Sequence, residues 1–168
     1  MLNDCKYGCS VRGHRIGLSM LKSALYPNPA ADKEHHTFWY AICPHEGDFR
    51  KGQIAEMAYQ FNNPLFAVRK ERAGKSLPAA YSQIRVQEPY AHIEVVKQAM
   101  EGEDLIVRLY EYHNHRGALH LLVPDTIAEA YETNLLEEKE RKLELNDGTI
   151  TAEITPYEIK TIRLVHKD

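Results

Sequence analysis

No stretch of this chain is apolar for the roughly 20 residues that a membrane-spanning helix needs. Its first residues, Met1-Leu2-Asn3-Asp4, have neither the basic start nor the apolar run of a secretory leader. Excess positive charge is missing too. The net charge is −3 and Lys and Arg are scattered along the sequence, which leaves no electrostatic case for nucleic acid or an anionic membrane surface as a partner. Cysteine is scarce and odd in number, three in 168 residues, so reduced thiols in a cytoplasmic protein are expected rather than a disulfide framework. Long helical periodicity, internal repeats and low-complexity segments are also lacking.

What is present favours β structure. There are ten tyrosines, and short β-branched and aromatic runs alternate with turn residues. Before Val86 the chain is irregular and rich in Gly, Pro, Asn and His. Ile16 to Leu21 and Thr37 to Cys43 are predicted strands, and Tyr26-Pro27-Asn28-Pro29 is a loop because its prolines withdraw backbone donors. One helix is predicted from the apolar stripe Ile54, Met57, Ala58 and Phe61, stopped by Asn62-Asn63-Pro64. After Tyr90 come regularly spaced strands: Ile93–Gln98, Leu105–Tyr112, Ala118–Val123, Ile127–Leu135, Lys142–Leu145, Thr149–Ile154 and Tyr157–Leu164. Thr149 to Ile154 alternates, which puts Ile150, Ala152 and Ile154 on one buried face. Asn146-Asp147-Gly148 before it is a hairpin signal. The apolar phase slips between Ile159 and Ile162, which predicts a β-bulge.

Chemistry-bearing patterns are weak. Gly74-Lys75-Ser76 lacks the earlier glycine of a phosphate-binding loop, that position being Arg69. Nine histidines invite a metal reading, but Cys5 and Cys9 have no convincing second ligand pair, and adjacent His35 and His36 point to opposite faces of a strand. No Gly-x-Ser-x-Gly elbow surrounds any serine, and Cys43-Pro44-His45 lacks an orienting partner. Glu132, Glu137, Glu138 and Glu140, like Glu101, Glu103 and Asp104, read as solvated charge. Trp39, between Phe38 and Tyr40, reads as a core residue of its strand, with a sugar-stacking platform as the alternative.

Five motifs remain, strung along the whole chain: Leu2-Asn3-Asp4-Cys5-Lys6-Tyr7-Gly8, Tyr26-Pro27-Asn28-Pro29, Asn62-Asn63-Pro64-Leu65, Leu105-Ile106-Val107-Arg108-Leu109-Tyr110-Glu111 and Tyr131-Glu132-Thr133-Asn134-Leu135-Leu136-Glu137. In this order they resemble the C-terminal β-region of α-mannosidases of glycoside hydrolase family 38. The resemblance implies a mostly β fold with one short helix. Residues 1–88 would be the last strands of a large β-sandwich of the supersandwich type, and residues 89–168 a small terminal immunoglobulin-like sandwich. It also implies that catalysis belongs to an N-terminal barrel outside this sequence, which supplies both carboxylates and the zinc ligands. Hence no catalytic or metal-binding residue is expected here, zinc belongs to the full-length enzyme, and the chain alone is expected to be inactive. Its partners would be that barrel, a mannose-containing oligosaccharide and, because residues 1–88 have too few strands to close a sandwich, a second copy. Asp4, Lys6 and Tyr7, with Lys22, are the candidate sugar contacts. The competing reading is that Asn3 to Gly8 is a turn supporting a domain interface.

Overall fold

The computed structural model describes residues 1–69, 78 and 80–167. The Gly74-Lys75-Ser76 tripeptide lies outside them. The chain divides into two compact units, Met1–Lys70 and Glu71–Asp168.

The first unit is made of small pieces. Strand β1 (Leu2–Asn3) is followed by the hairpin of β2 (Cys9–Arg12) and β3 (Arg15–Leu18). Gly13 holds the hairpin's turn at φ +57, a conformation that costs a residue without a Cβ little. Strand β4 (Tyr40–Ala41) pairs antiparallel with β1, Leu2 opposite Ala41 and Asn3 opposite Tyr40. The expected strands over Ile16–Leu21 and Thr37–Cys43 are thus shorter than their apolar runs. The helix α1 (Ile54–Asn62) forms where the apolar stripe predicts it. The Asp48 carboxylate accepts the Arg50 and Lys51 N–H groups just before it. At its end Asn62 and Asn63 side chains bond back to the Ala58 and Tyr59 carbonyls, and Pro64 prevents continuation. The helix meets β1, where the Asn62 side chain also donates to the Asn3 carbonyl at 3.2 Å. None of its residues is fully buried. Leu2 is the buried hydrophobic residue of this unit, whereas Val11, Ile16, Leu25, Ile42, Leu65 and Phe66 stand exposed.

The second unit has a closed core. Its strands are β5 (Arg85–Val86), β6 (Ala91–Gln98), β7 (Leu105–Glu111), β8 (Gly117–Leu122), β9 (Ile127–Thr133), β10 (Lys139–Asn146), β11 (Thr149–Ile154) and β12 (Ile159–His166). They run in the order β5-β8-β11-β10-β9-β12-β7-β6, with every pairing antiparallel. The β10 strand belongs to both layers of this sandwich. Its first part, to Leu143, pairs with β9, and Glu144–Asn146 pair with β11. Alternating side chains from the layers, among them Val107, Leu109, Leu121, Ile150, Ile162 and Leu164, bury completely. Each such side chain contributes about 1.5–3 kcal/mol by leaving water. The predicted face of Ile150, Ala152 and Ile154 is buried, and Asp147 and Gly148 take the positive φ values (47 and 71) of the expected hairpin turn.

The expected bulge between Ile159 and Ile162 is not there. The pairing of β12 with β7 runs unbroken from Ile159 to Leu164. The apolar phase slips because Lys160 occupies an inward position and is buried. Register shifts lie instead at Glu94 in β6, at Glu140 in β10, and between Val165 and His166.

Two of the sequence motifs serve this core. Glu111, 2% exposed, accepts N–H groups from His113 (2.6 Å), His115 (2.9 Å) and Tyr157 (2.8 Å), and so pins two loops to the end of β7. Glu132 binds Lys160 and Arg141. Asn134 accepts the Leu136 and Glu138 N–H groups, turning the chain so that Glu137 can bind Lys97 and the Met100 N–H. The reading of this acidic stretch as solvated charge therefore fails at Glu132 and Glu137. Their partners are distant in sequence, on strands that only the fold brings near. Asp104 is likewise bound, to Arg163 at 2.7 Å.

Candidate functional site

The motif at residues 2–8 turns immediately after β1. The Asn3 side-chain carbonyl accepts the Lys6 N–H at 2.7 Å, an Asx-type turn that explains the asparagine. The Asp4 N–H donates to the Trp39 carbonyl at 3.2 Å, extending the β1–β4 ladder by one residue. Gly8 then accepts the Ser19 N–H at 2.7 Å, which ties the loop's end to the following hairpin. A Cβ at Gly8 would stand 2.9 Å from that of Ser19, so close approach also accounts for the glycine.

The side chains of this loop spread over a small surface. Asp4 is exposed, and its carboxyl is held below its usual value by the Cys5 thiol beside it and next by the Trp39 backbone. The same Asp4 contact pushes the Cys5 thiol up. Lys6 is half-buried, with its ammonium 4.7 Å from the centre of the Phe38 ring, a cation–π contact. Tyr7 is 93% exposed. The structure thus brings Asp4 against Trp39 and Lys6 against Phe38, while no hydrogen bond or ring contact among the described residues ties the Tyr7 side chain to them. Lys22 stands exposed on the segment after β3, and no hydrogen bond or ion pair among the described residues ties it to them.

The expectation that Trp39 is a core residue is overturned: it is 68% exposed. Alternation within Phe38-Trp39-Tyr40 suggested that one of the three is buried, yet Phe38 is only half-buried and Tyr40 is exposed. Sequence reasoning missed Trp39 as a neighbour of Asp4 because the β1–β4 pairing, on which that contact depends, is only two residues long.

Several other reactive groups are locally engaged. His35 meets the Thr37 hydroxyl at 3.3 Å and His36 the Asp32 carbonyl at 3.3 Å. Cys43 lies 3.6 Å from the Met57 sulfur, and all three cysteines are free thiols. Among the described residues no three His, Cys, Asp or Glu side chains gather where they could hold a metal ion. The buried carboxylates of the second unit are bound to N–H groups and cations, so they are poor candidates for a nucleophile or a general acid. No helix among the described residues is long and apolar enough to cross a membrane.

Comparison with known proteins gives this geometry its context. The family model described as "Glycosyl hydrolases family 38 C-terminal beta sandwich domain" matches residues 90–162, from just before β6 into β12. This chain carries the family 38 C-terminal β-sandwich domain. The likeness continues through the smaller first unit. Over 98% of the chain, alpha-mannosidase 2C1 of Homo sapiens is 37% identical, that of Mus musculus 33%, and alpha-mannosidase G of Dictyostelium discoideum 30%. The chain covers 16% of the length of each of these relatives. It thus corresponds to a part of each of them.

Proposed function

We propose that this chain is the C-terminal β-rich part of an α-mannosidase that removes terminal α-linked mannose from oligosaccharides by a zinc-assisted, retaining mechanism. The observation that carries this reading is the alignment of 98% of the chain with three α-mannosidases. Retention needs a nucleophilic carboxylate and an acid–base carboxylate about 5 Å apart. In this reading both, and the zinc ligands, come from the catalytic barrel of the complete enzyme. The role of this chain is to brace that barrel and to border its sugar pocket with Asp4, Lys6, Tyr7 and Lys22. The free thiols fit a reducing, cytoplasmic setting. The exposed apolar side chains of the first unit support the scaffold role, since a surface of that character is stable only against a partner. The purified 168-residue chain is expected to show no turnover of a synthetic α-mannoside; measurable hydrolysis that copurifies with it would refute this assignment.

A second reading, a stand-alone dimerisation or carbohydrate-binding module, draws on the same exposed side chains and on the open edges of the two-stranded pairs in the first unit. Sedimentation equilibrium separates the two. Self-association with micromolar or tighter affinity is expected if the apolar surface meets its own copy, and a monomeric mass at high concentration removes the dimer.

A further inference from the structure

The β2–β3 hairpin is covered on neither face. Its residues are exposed except Leu18, which is half-buried, and its two strands form a sheet of their own. Alternation gives it two unlike faces. Val11 stands opposite Ile16 on one, 69% and 64% exposed, and Arg12 stands opposite Arg15 on the other, beside the turn. Like charges directly opposite each other destabilise a hairpin that is already marginal alone. No Asp or Glu occurs between Cys5 and Asp32 to offset them, and no ion pair among the described residues reaches either arginine.

A surface of opposite character lies at one end of the second unit. There the β6–β7 and β9–β10 loops are clamped together. Buried Glu137 accepts the Met100 N–H at 2.7 Å and binds Lys97, and Arg163 donates to the Glu101 carbonyl at 2.8 Å. The clamped loops hold Met100, Leu135 and Leu136 in water, 78%, 63% and 73% exposed. Met100 and Leu136 line a groove of about 510 Å³ between them. The exposed carboxylates of Glu101, Glu103 and Glu138 stand on the same loops, without an ion-pair partner among the described residues. The cations of the groove are engaged elsewhere, Arg163 with Asp104 and Lys139 with the face of the Tyr131 ring.

We propose that these two surfaces meet between copies of this chain, the hairpin of one seated on the clamped loops of the next. Val11 and Ile16 cover Met100, Leu135 and Leu136. Arg12 and Arg15, on stems long enough to lie along that apolar patch, reach Glu101, Glu103 and Glu138. Charge complementarity argues for this occupant. The acidic loops repel a second set of themselves, as do the opposed arginines, whereas each surface supplies what the other lacks. Such a contact is heterologous, so association either closes a ring, a reciprocal pair being the smallest, or continues as an open chain. This deepens the self-association reading above and does not depend on the α-mannosidase one.

The test is sedimentation velocity of the 168-residue chain over a concentration series. The mean mass is expected to exceed that of one chain at micromolar concentration. Association should weaken about tenfold between about 0.05 M and about 0.5 M salt. Arg12→Glu with Arg15→Glu should weaken it on the order of a hundredfold, and Glu101→Lys with Glu103→Lys should do the same. An equal mixture of the two reversed chains should associate again, because each altered surface then fits the other. That recovery also shows that both variants fold. Association that ignores either reversal, or no recovery on mixing, overturns this contact while leaving self-association to another surface. An unaltered chain that stays a single copy at every concentration overturns the contact together with the dimerisation reading. The α-mannosidase reading is judged separately, by the hydrolysis assay.

Discussion

Glu111→Ala should destabilise the sandwich of the second unit by about 3–5 kcal/mol, a large part of a small domain's stability. The loss comes from three N–H groups, those of His113, His115 and Tyr157, that the carboxylate now binds in a buried place. A buried donor left without an acceptor costs about 1–3 kcal/mol. Tyr157 adds to this, since it sits at φ +56, a strained setting for a bulky residue that its bond to Glu111 helps to hold. Glu111→Gln keeps one acceptor oxygen and should cost about half as much. Urea unfolding of the chain measures both. A loss below about 1 kcal/mol in Glu111→Ala would show that the loops find other acceptors.

The same carboxylate makes a pH prediction. Burial alone would raise its pKa, but the N–H groups of Tyr157, His115 and His113 outweigh burial and hold it below the ordinary 4.5. A depressed folded value means that the stabilisation is fully present above the unfolded pKa and is lost as pH falls through the folded one. Glu132 and Glu158 are depressed too, since their bonds, chiefly to Lys160, outweigh burial. Stability should hold from neutral pH to about 5 and fall below that, less steeply in Glu111→Gln than in the unaltered chain. Parallel slopes would remove Glu111 from the account.

Lys160→Ala should be as damaging, about 3–5 kcal/mol. The Lys160 ammonium lies 2.5 Å from Glu132 and 2.8 Å from Glu158, and its side chain is 3% exposed. Burial would lower its pKa, but the bonds to Glu132 and Glu158 outweigh burial and raise it. Its contribution is therefore present below the ordinary 10.5 and is lost only as pH rises through the higher folded value. Removing the ammonium leaves two half-buried carboxylates, Glu132 with Arg141 alone and Glu158 with Thr155 alone, which is worse than never having placed charges there. Lys160→Met keeps the packing of the stem and should recover about 1–2 kcal/mol. Adding Glu132→Gln and Glu158→Gln to Lys160→Met should bring stability back towards the starting value. If Lys160→Met alone is neutral in thermal and urea unfolding, the ion network contributes nothing.

These two residues also mark where the sequence was legible and where it was not. Alternation at Thr149 to Ile154 and the Asp147-Gly148 turn are local signals, and local geometry decides them. The α1 helix is legible for the same reason, its stripe and its Asn62-Asn63-Pro64 stop lying within eleven residues of chain. Lys160 is different. A lysine counts as an outward residue in any pattern, so its inward position looked like a bulge, and only the carboxylates of β9 and the turn before β12 make burial tolerable. Trp39 failed in the opposite direction. An apolar run promised a buried strand, but its partner, β1, offers two residues of pairing, so most of the run has nothing in the unit to lie against. The candidate loop itself was half legible: its turn follows from Asn3 and Gly8, whereas the placement of Asp4 against Trp39 depends on a contact more than thirty residues away in the chain.

The shared strand β10 has a consequence for how the sandwich comes apart. A sandwich whose layers had no strand in common could shed one layer and leave the other as a partly ordered remnant. Here the stretch of β10 up to Leu143 is a neighbour of β9, and the stretch from Glu144 borders β11. Loss of β10 therefore strips the bordering strand from both layers at once and uncovers Leu143 together with Ile150, which pairs with β10 at Leu145. Opening that reaches β10 should therefore unfold both layers together, while the outer strands β5 and β6 can open locally at lower cost.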